Sequence, residues 1–190
     1  MQTQPPPTAP SEREARFVAR VIQRCGADKG LAARLRRADN PATEYQSWEF
    51  LADCGIPLDH DSERLPFATV AAYIAKAKLQ ANGSYGLGRA IAACFDDGSQ
   101  SDQAKTWLRR LLACDEPIEL CRILRPLLAL IDSRGQTLDS IRLLKQLRQF
   151  SIAAHTGDDR WLQNIKAQWA QEFYGHKVEV EYQAEAGEGA

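Results

Sequence analysis

Residues 83–95 read GSYGLGRAIAACF, with three glycines in six positions, then an arginine, then apolar residues at helical spacing. Glycine and arginine together can cradle phosphate, so the stretch is the first place to look for nucleotide chemistry. A dinucleotide fingerprint needs G-x-G-x-x-G between a strand and a helix. Here the order is Gly83-x-x-Gly86-x-Gly88, and the preceding AYIAKAKLQAN is helical in pattern. A phosphate-binding loop of the Gly-Lys-Ser/Thr kind is missing as well. What remains is a flexible turn whose glycines let the backbone approach another surface. It sets Arg89 at the mouth of a helix, opposite the apolar face, where free amides and an exposed guanidinium suit a phosphodiester.

Other chemistry finds less support. His60, His155 and His176 are far apart, and none belongs to an HxxxH or HExxH pattern. No second ligand stands near His60-Asp61, so no metal or other cofactor is expected. There is no G-x-S-x-G elbow, and no cysteine has a neighbouring histidine to activate it. The expectation is a protein that is not an enzyme. The five cysteines (25, 54, 94, 114 and 121) form no CxxC pair, and four sit on or beside apolar helix faces. They read as reduced structural thiols, which implies a cytoplasmic protein. No run reaches the roughly 20 apolar residues of a membrane span, and MQTQPPPTAP lacks the pattern of a secretory signal.

The charge distribution carries more. The formal net charge is −1 over 190 residues, but it is arranged in blocks. Residues 13–37 hold eight bases and two acids, and residues 38–63 hold seven acids and no base. Residues 64–95 then hold four bases, Arg64, Lys76, Lys78 and Arg89, without an acid. A chain neutral in sum can thus present a basic face. Arginines outnumber lysines seventeen to seven, which favours bidentate contacts to phosphate or carboxylate. ARLRRA (33–38) places Arg34, Arg36 and Arg37 within one turn, and WLRRLL (107–112) contributes Arg109 and Arg110. Arg122 with Arg125, and Arg142 with Lys145, are spaced i, i+3. Such spacing suits sequence-independent contact along a phosphate backbone. No helix pair reads as a helix-turn-helix, and no aromatic stacking platform for single strands is evident. The candidate nucleic-acid-binding residues are therefore Arg36, Arg37, Lys76, Lys78, Arg89, Arg109, Arg110, Arg122, Arg125, Arg142 and Lys145.

The elements that must position them are helices, and the fold class is all-α with eight or nine helices. Phe17, Val18, Val21, Ile22 and Cys25 make a first face; Leu31 and Leu35 start a short helix ending near Arg37. Residues 43–54 fit a third, and the spacing predicts a helix over roughly 66–79 after a loop. Leu87, Ala90, Ile91, Cys94 and Phe95 share the next face. Ser101 or Asp102 caps a helix carrying Ala104, Trp107, Leu108 and Leu111. PIELCRILRPLLALI is apolar over most of its circumference and is expected to be the central buried helix, with Pro126 a possible kink site. Leu138 to Phe150 and Trp161 to Phe173 supply the last two helices, with Gly175 as the stop. VEVEY (178–182) alternates like a strand but has no partner strand. The expected organisation is a disordered arm (1–10), an N-terminal helical lobe (11–97), a C-terminal helical lobe (98–175) and an acidic disordered tail (176–190).

Taken in order, these pieces resemble a known family, the small subunit of the type I-E CRISPR Cascade surveillance complex (the CasB family). The likeness rests on Ala33 to Arg37 before an Asp/Asn/Pro-rich break, on Ser84 to Ala92 around Leu87-Gly88-Arg89-Ala90, on LLACDEP leading to LRPLL and Leu138-Asp139, and on the closing WAQEFY (169–174). It covers about residues 13–175. The resemblance implies a helical, non-catalytic protein of two lobes, two copies of which lie head to tail along an RNA-guided complex. There they would hold other subunits and the crRNA in place and contact the target and displaced DNA strands, stabilising the R-loop. It points by position to Arg36, Arg37, Arg89, Arg110, Arg125 and Lys145 as bases facing DNA or the complex. The rival reading of the same basic faces is a helical protein–protein adaptor with no direct nucleic-acid role.

Overall fold

The computed structural model describes residues 12–175; the expected arm, the VEVEY segment and the acidic tail lie outside the described residues. Among the described residues nine α-helices follow one another: α1 (Glu12–Ala27), α2 (Lys29–Leu35), α3 (Trp48–Asp53), α4 (Asp61–Ala77), α5 (Leu87–Ala93), α6 (Asp102–Leu112), α7 (Pro117–Ser133), α8 (Ser140–Thr156) and α9 (Asp159–Tyr174). Short 3-10 turns precede α3 (Glu44–Ser47) and α6 (Gly98–Gln100). Among the described residues β-pairing is limited to one isolated parallel bridge, Tyr85 with Leu138. The all-α expectation holds.

Polar side chains set several helix starts. Asp28 accepts from the Leu31 N–H at 2.9 Å, opening α2. Ser101 accepts from the Ala104 N–H at 3.3 Å and starts α6, as its sequence position suggested. Asp139 accepts from the N–H groups of Ile141 and Arg142, and Asp158 from that of Trp161. Each satisfies donors that a helix leaves unpaired at its N-terminus. Gly157, at φ 70°, closes α8 in the left-handed conformation that favours glycine.

The central helix is α4, not α7. Every residue from Pro66 to Ala75 is buried, because α4 meets α1 and α2 on one side and α7 and α8 on the other. The α7 helix leaves Ile118, Pro126 and Ala129 exposed and buries Leu120, Leu124, Leu127, Leu128 and Ile131. Pro126 lies inside a helix assigned without interruption. The α4 helix also begins earlier than its expected start near residue 66. Pro66 lacks an N–H to give the carbonyl of Ser62, but the preceding turn is held by long-range ion pairs. Glu63 bridges Arg13 (2.9 Å) and Arg148 (2.6 Å), and Arg64 meets Glu44 at 2.6 Å.

The buried apolar side chains form one contiguous cluster running from Phe17 to Phe173. At one end Phe17 packs edge-on to Phe67, with ring centres 4.7 Å apart. At the other, Phe150 stacks on the fully buried Trp169 at 5.9 Å. Burying aromatics of this size supplies much of the folding free energy.

Candidate nucleic-acid interface

The glycine-rich turn is tied down rather than flexible. Ser84 and Tyr85 both donate their N–H groups to the carbonyl of Thr137 at 2.9 Å, and Asp139 donates back to that of Tyr85 at 2.8 Å. Its glycines answer to close approach. A Cβ on Gly83 would stand 2.4 Å from the Leu138 carbonyl oxygen, and one on Gly88 would stand 2.0 Å from that of Trp169. Gly83 thus lets the turn close on the segment between α7 and α8, and Gly88 lets α5 lie directly against α9.

The anion expected at the start of α5 comes from the protein itself. The Glu172 carboxylate accepts the Gly88 N–H at 3.0 Å and a Gln146 amide N–H at 3.2 Å, and it pairs with Arg142 at 2.6 Å. Gln146 in turn accepts the Trp169 indole N–H at 3.0 Å. The Glu172 carboxylate thus occupies the Gly88 amide that the sequence reading offered to a phosphodiester. Arg89 lies beside this network, half-buried, with its guanidinium 4.4 Å from the centre of the Tyr85 ring. Its Nε is buried without a hydrogen-bond partner. Arg89 and Arg142 line one cleft of about 200 Å³, with Glu172 between the helices as its acid.

A second basic site lies where α1, α2 and the end of α4 meet. Lys29, Arg36 and Lys78 line a groove of about 410 Å³ with Cys25, Ala32, Ala75, Leu79 and Gln80, and no carboxylate lines it. The α2 register brings Lys29, Ala32 and Arg36 to one face at i, i+3, i+7. Arg36 Nε donates to the carbonyl of Ala32 at 3.2 Å, leaving its exposed side chain folded back along the helix. Lys78 ends α4 in the left-handed region, at φ 52° and ψ 42°. It is the one non-glycine residue with positive φ among those described, a conformation that costs roughly 1–2 kcal/mol. Lys29 is absent from the sequence-based candidates; the signal was its phase with Arg36 once α2 starts at residue 29.

The other candidates are dispersed. Asp39, whose side chain is only 9% exposed, pairs with both Lys76 and Arg125, and its carbonyl accepts a further bond from Arg125. Arg37 donates to Gln46 at 3.2 Å. Arg110 and Arg122 face one cleft of about 530 Å³ between α6 and α7, with Arg110 5.5 Å from the Trp107 ring centre and Arg122 3.4 Å from Glu119. Arg109 is exposed on α6 and forms no ion pair among the described residues. Lys145 lies half-buried on α8, one turn beyond Arg142.

Two arginines turn out to be structural. Arg148 pairs with the buried Glu14 and with Glu63, joining α8 to α1 and α4. Burial alone would lower its proton affinity, but the two carboxylates outweigh that and push it up. The same balance, with Glu44 and Asp61 as acids, raises that of Arg64. Among the described residues no group of three His, Cys, Asp or Glu side chains is placed to hold a metal ion, and no helix is long and apolar enough to cross a membrane.

The family model of CRISPR-associated protein Cse2 matches residues 31–174. No curated protein matches the chain. Among solved structures, the crystal structure of CasB from Thermobifida fusca is similar in fold, with a TM-score of 0.62 at 17% identity. The similarity covers 85% of this chain and 98% of that one. Since the family match spans α2 to the end of α9, including the groove residue Arg36 and the glycine turn, the chain belongs to the CRISPR-associated Cse2 (CasB) family.

Proposed function

We propose that this Cse2-family chain is the non-catalytic small subunit of an RNA-guided Cascade complex. It binds DNA backbone without sequence preference, steadies the R-loop and bridges neighbouring subunits and crRNA, with a second copy beside it. Guide–target pairing supplies sequence specificity, and this protein supplies positive charge along the opened strands. The observation that carries the reading is the groove of Lys29, Arg36 and Lys78, three cations with no acid in the lining. The left-handed backbone at Lys78 adds to it, since strain of this kind concentrates at functional positions. Arg89, lining its own cleft above the α5–α9 contact, is a second point for a phosphate.

The three groove cations contribute about −3 to the slope of log affinity against log salt concentration, close to 0.9 per neutralised phosphate. Titration of the free full-length protein with short duplexes at several salt concentrations tests this. The double substitution Arg36→Ala, Lys78→Ala is expected to make the slope shallower by about 2 with unchanged helicity. An affinity indifferent to salt refutes backbone binding. The adaptor reading draws on a different observation: Lys76, Arg122, Arg125 and Arg142 are already paired with acids of their own chain. Polyanion competition separates the two, because it displaces DNA under the first reading and leaves subunit assembly intact under the second.

A further inference from the structure

Four large apolar side chains are exposed among the described residues, and two of them, Tyr45 and Trp48, stand three positions apart at the entry to α3. Residues spaced by three in a 3-10 turn eclipse one another, so the two rings leave the chain on one side. Tyr45 is 59% exposed and Trp48 39%. Next to them Glu49 and Asp53, one α-helical turn apart, are exposed, and neither carboxylate forms an ion pair among the described residues. Arg20 approaches Asp53 at its backbone carbonyl, 3.2 Å away, and not at its carboxylate. The Trp48 ring already receives one cation, the Arg64 guanidinium 5.8 Å from its centre. This face thus joins aromatic rings that attract cations to two unneutralised acids, within a stretch (38–63) that contains no base.

We infer that the face formed by Tyr45, Trp48, Glu49 and Asp53 is a docking surface for a Lys/Arg-rich segment of another protein subunit. The inference rests on the reading of this chain as a Cascade subunit. Charge complementarity selects the occupant. Nucleobases could stack on the two rings, but they would bring phosphates up to Glu49 and Asp53 and be repelled. A basic protein segment meets both features at once, its cations reaching the carboxylates while its alkyl stems lie over the rings. None of these four residues lines the basic groove, so the two sites draw on different side chains.

The test compares the wild type with Glu49→Lys, Asp53→Lys and with Tyr45→Ala, Trp48→Ala, all as full chains. Three quantities are measured: affinity for a guide-RNA-containing complex lacking this subunit, affinity of the free protein for a short duplex, and sedimentation of the free protein. The charge reversal is expected to weaken joining of the complex at least tenfold while duplex affinity stays equal or rises. Unchanged joining by both variants overturns the surface. Duplex affinity lost in Tyr45→Ala, Trp48→Ala reassigns it to nucleic acid. Self-association of the wild type that disappears in the charge reversal reassigns it to a second copy. A wild-type chain that fails to join the complex refutes the subunit reading itself, whereas a wild type that joins, but no better than either variant, refutes the surface alone.

Discussion

Gly88→Ala inverts an ordinary rule. Within a helix this substitution normally stabilises by about 0.5–1 kcal/mol, because alanine loses less backbone freedom on folding. Here the added Cβ would sit 2.0 Å from the Trp169 carbonyl oxygen, 2.7 Å from the Phe173 nitrogen and 2.9 Å from Cβ of Glu172. Two of these three neighbours are backbone atoms of α9, so no side-chain rotation relieves the clash. Ordinary contact requires α5 and α9 to part by about 1.4 Å at this point, the kind of overpacking that costs roughly 1–3 kcal/mol. Parting the helices also breaks the Gly88 N–H bond to the Glu172 carboxylate, a charge-assisted bond worth about 1.5–3 kcal/mol. With the helix-propensity gain subtracted, the expected destabilisation is about 3 kcal/mol, or a fall in Tm of roughly 6–12 °C for a chain of this length. The assay is thermal and urea unfolding followed by far-ultraviolet circular dichroism. Gly26→Ala in α1 is the control, since a Cβ there meets nothing within 4 Å, and it should gain about 0.5–1 kcal/mol. A Gly88→Ala protein as stable as the wild type, or more so, refutes the close-approach argument.

Arg148→Met leaves the carboxylate of Glu14, 1% exposed, buried without its cation; a loss of about 3–5 kcal/mol in urea unfolding is expected, with partial recovery when Glu14→Gln is added. Burial, with Asp132 nearby, pushes the Tyr73 phenol from 10.0 up to about 12, so the folded state holds this proton more tightly than the unfolded one. Its stabilising contribution is complete below pH 10 and is lost as pH rises towards 12. Unfolding curves should therefore show an alkaline decline over that window, of at most about 2–3 kcal/mol, which Tyr73→Phe removes.

The helical faces were legible because each apolar position recurs with the period of the structure that buries it. Leu87, Ala90, Ile91 and Cys94 are all buried as their spacing required, and Ser101 caps α6 where its hydroxyl and the following acid pointed. The start of α4 was placed too late, because the turn before Pro66 is anchored by Arg148 and Glu44, far away in sequence. The apolar run of residues 117–131 suggested a central helix, yet the ten consecutive buried residues of α4 fill that place. At the candidate site, Arg36, Lys76 and Lys78 could be named from charge alone, whereas Lys29 could not. Which bases stay unneutralised could not be read either, because Asp39 reaches Lys76 and Arg125 only through the tertiary fold. The anion at the start of α5 was anticipated in its place, but its source, Glu172, lies 84 residues further along the chain.

The central claim is that the groove of Lys29, Arg36 and Lys78 steadies opened DNA inside the assembled complex. R-loop lifetime, measured on a reconstituted guide-RNA complex carrying either the wild-type chain or Arg36→Ala, Lys78→Ala, tests it most directly. The variant chain is expected to join the complex normally and its R-loops to dissociate several-fold faster, the difference narrowing as salt is raised. R-loops of equal lifetime on complexes containing equal amounts of either chain contradict it.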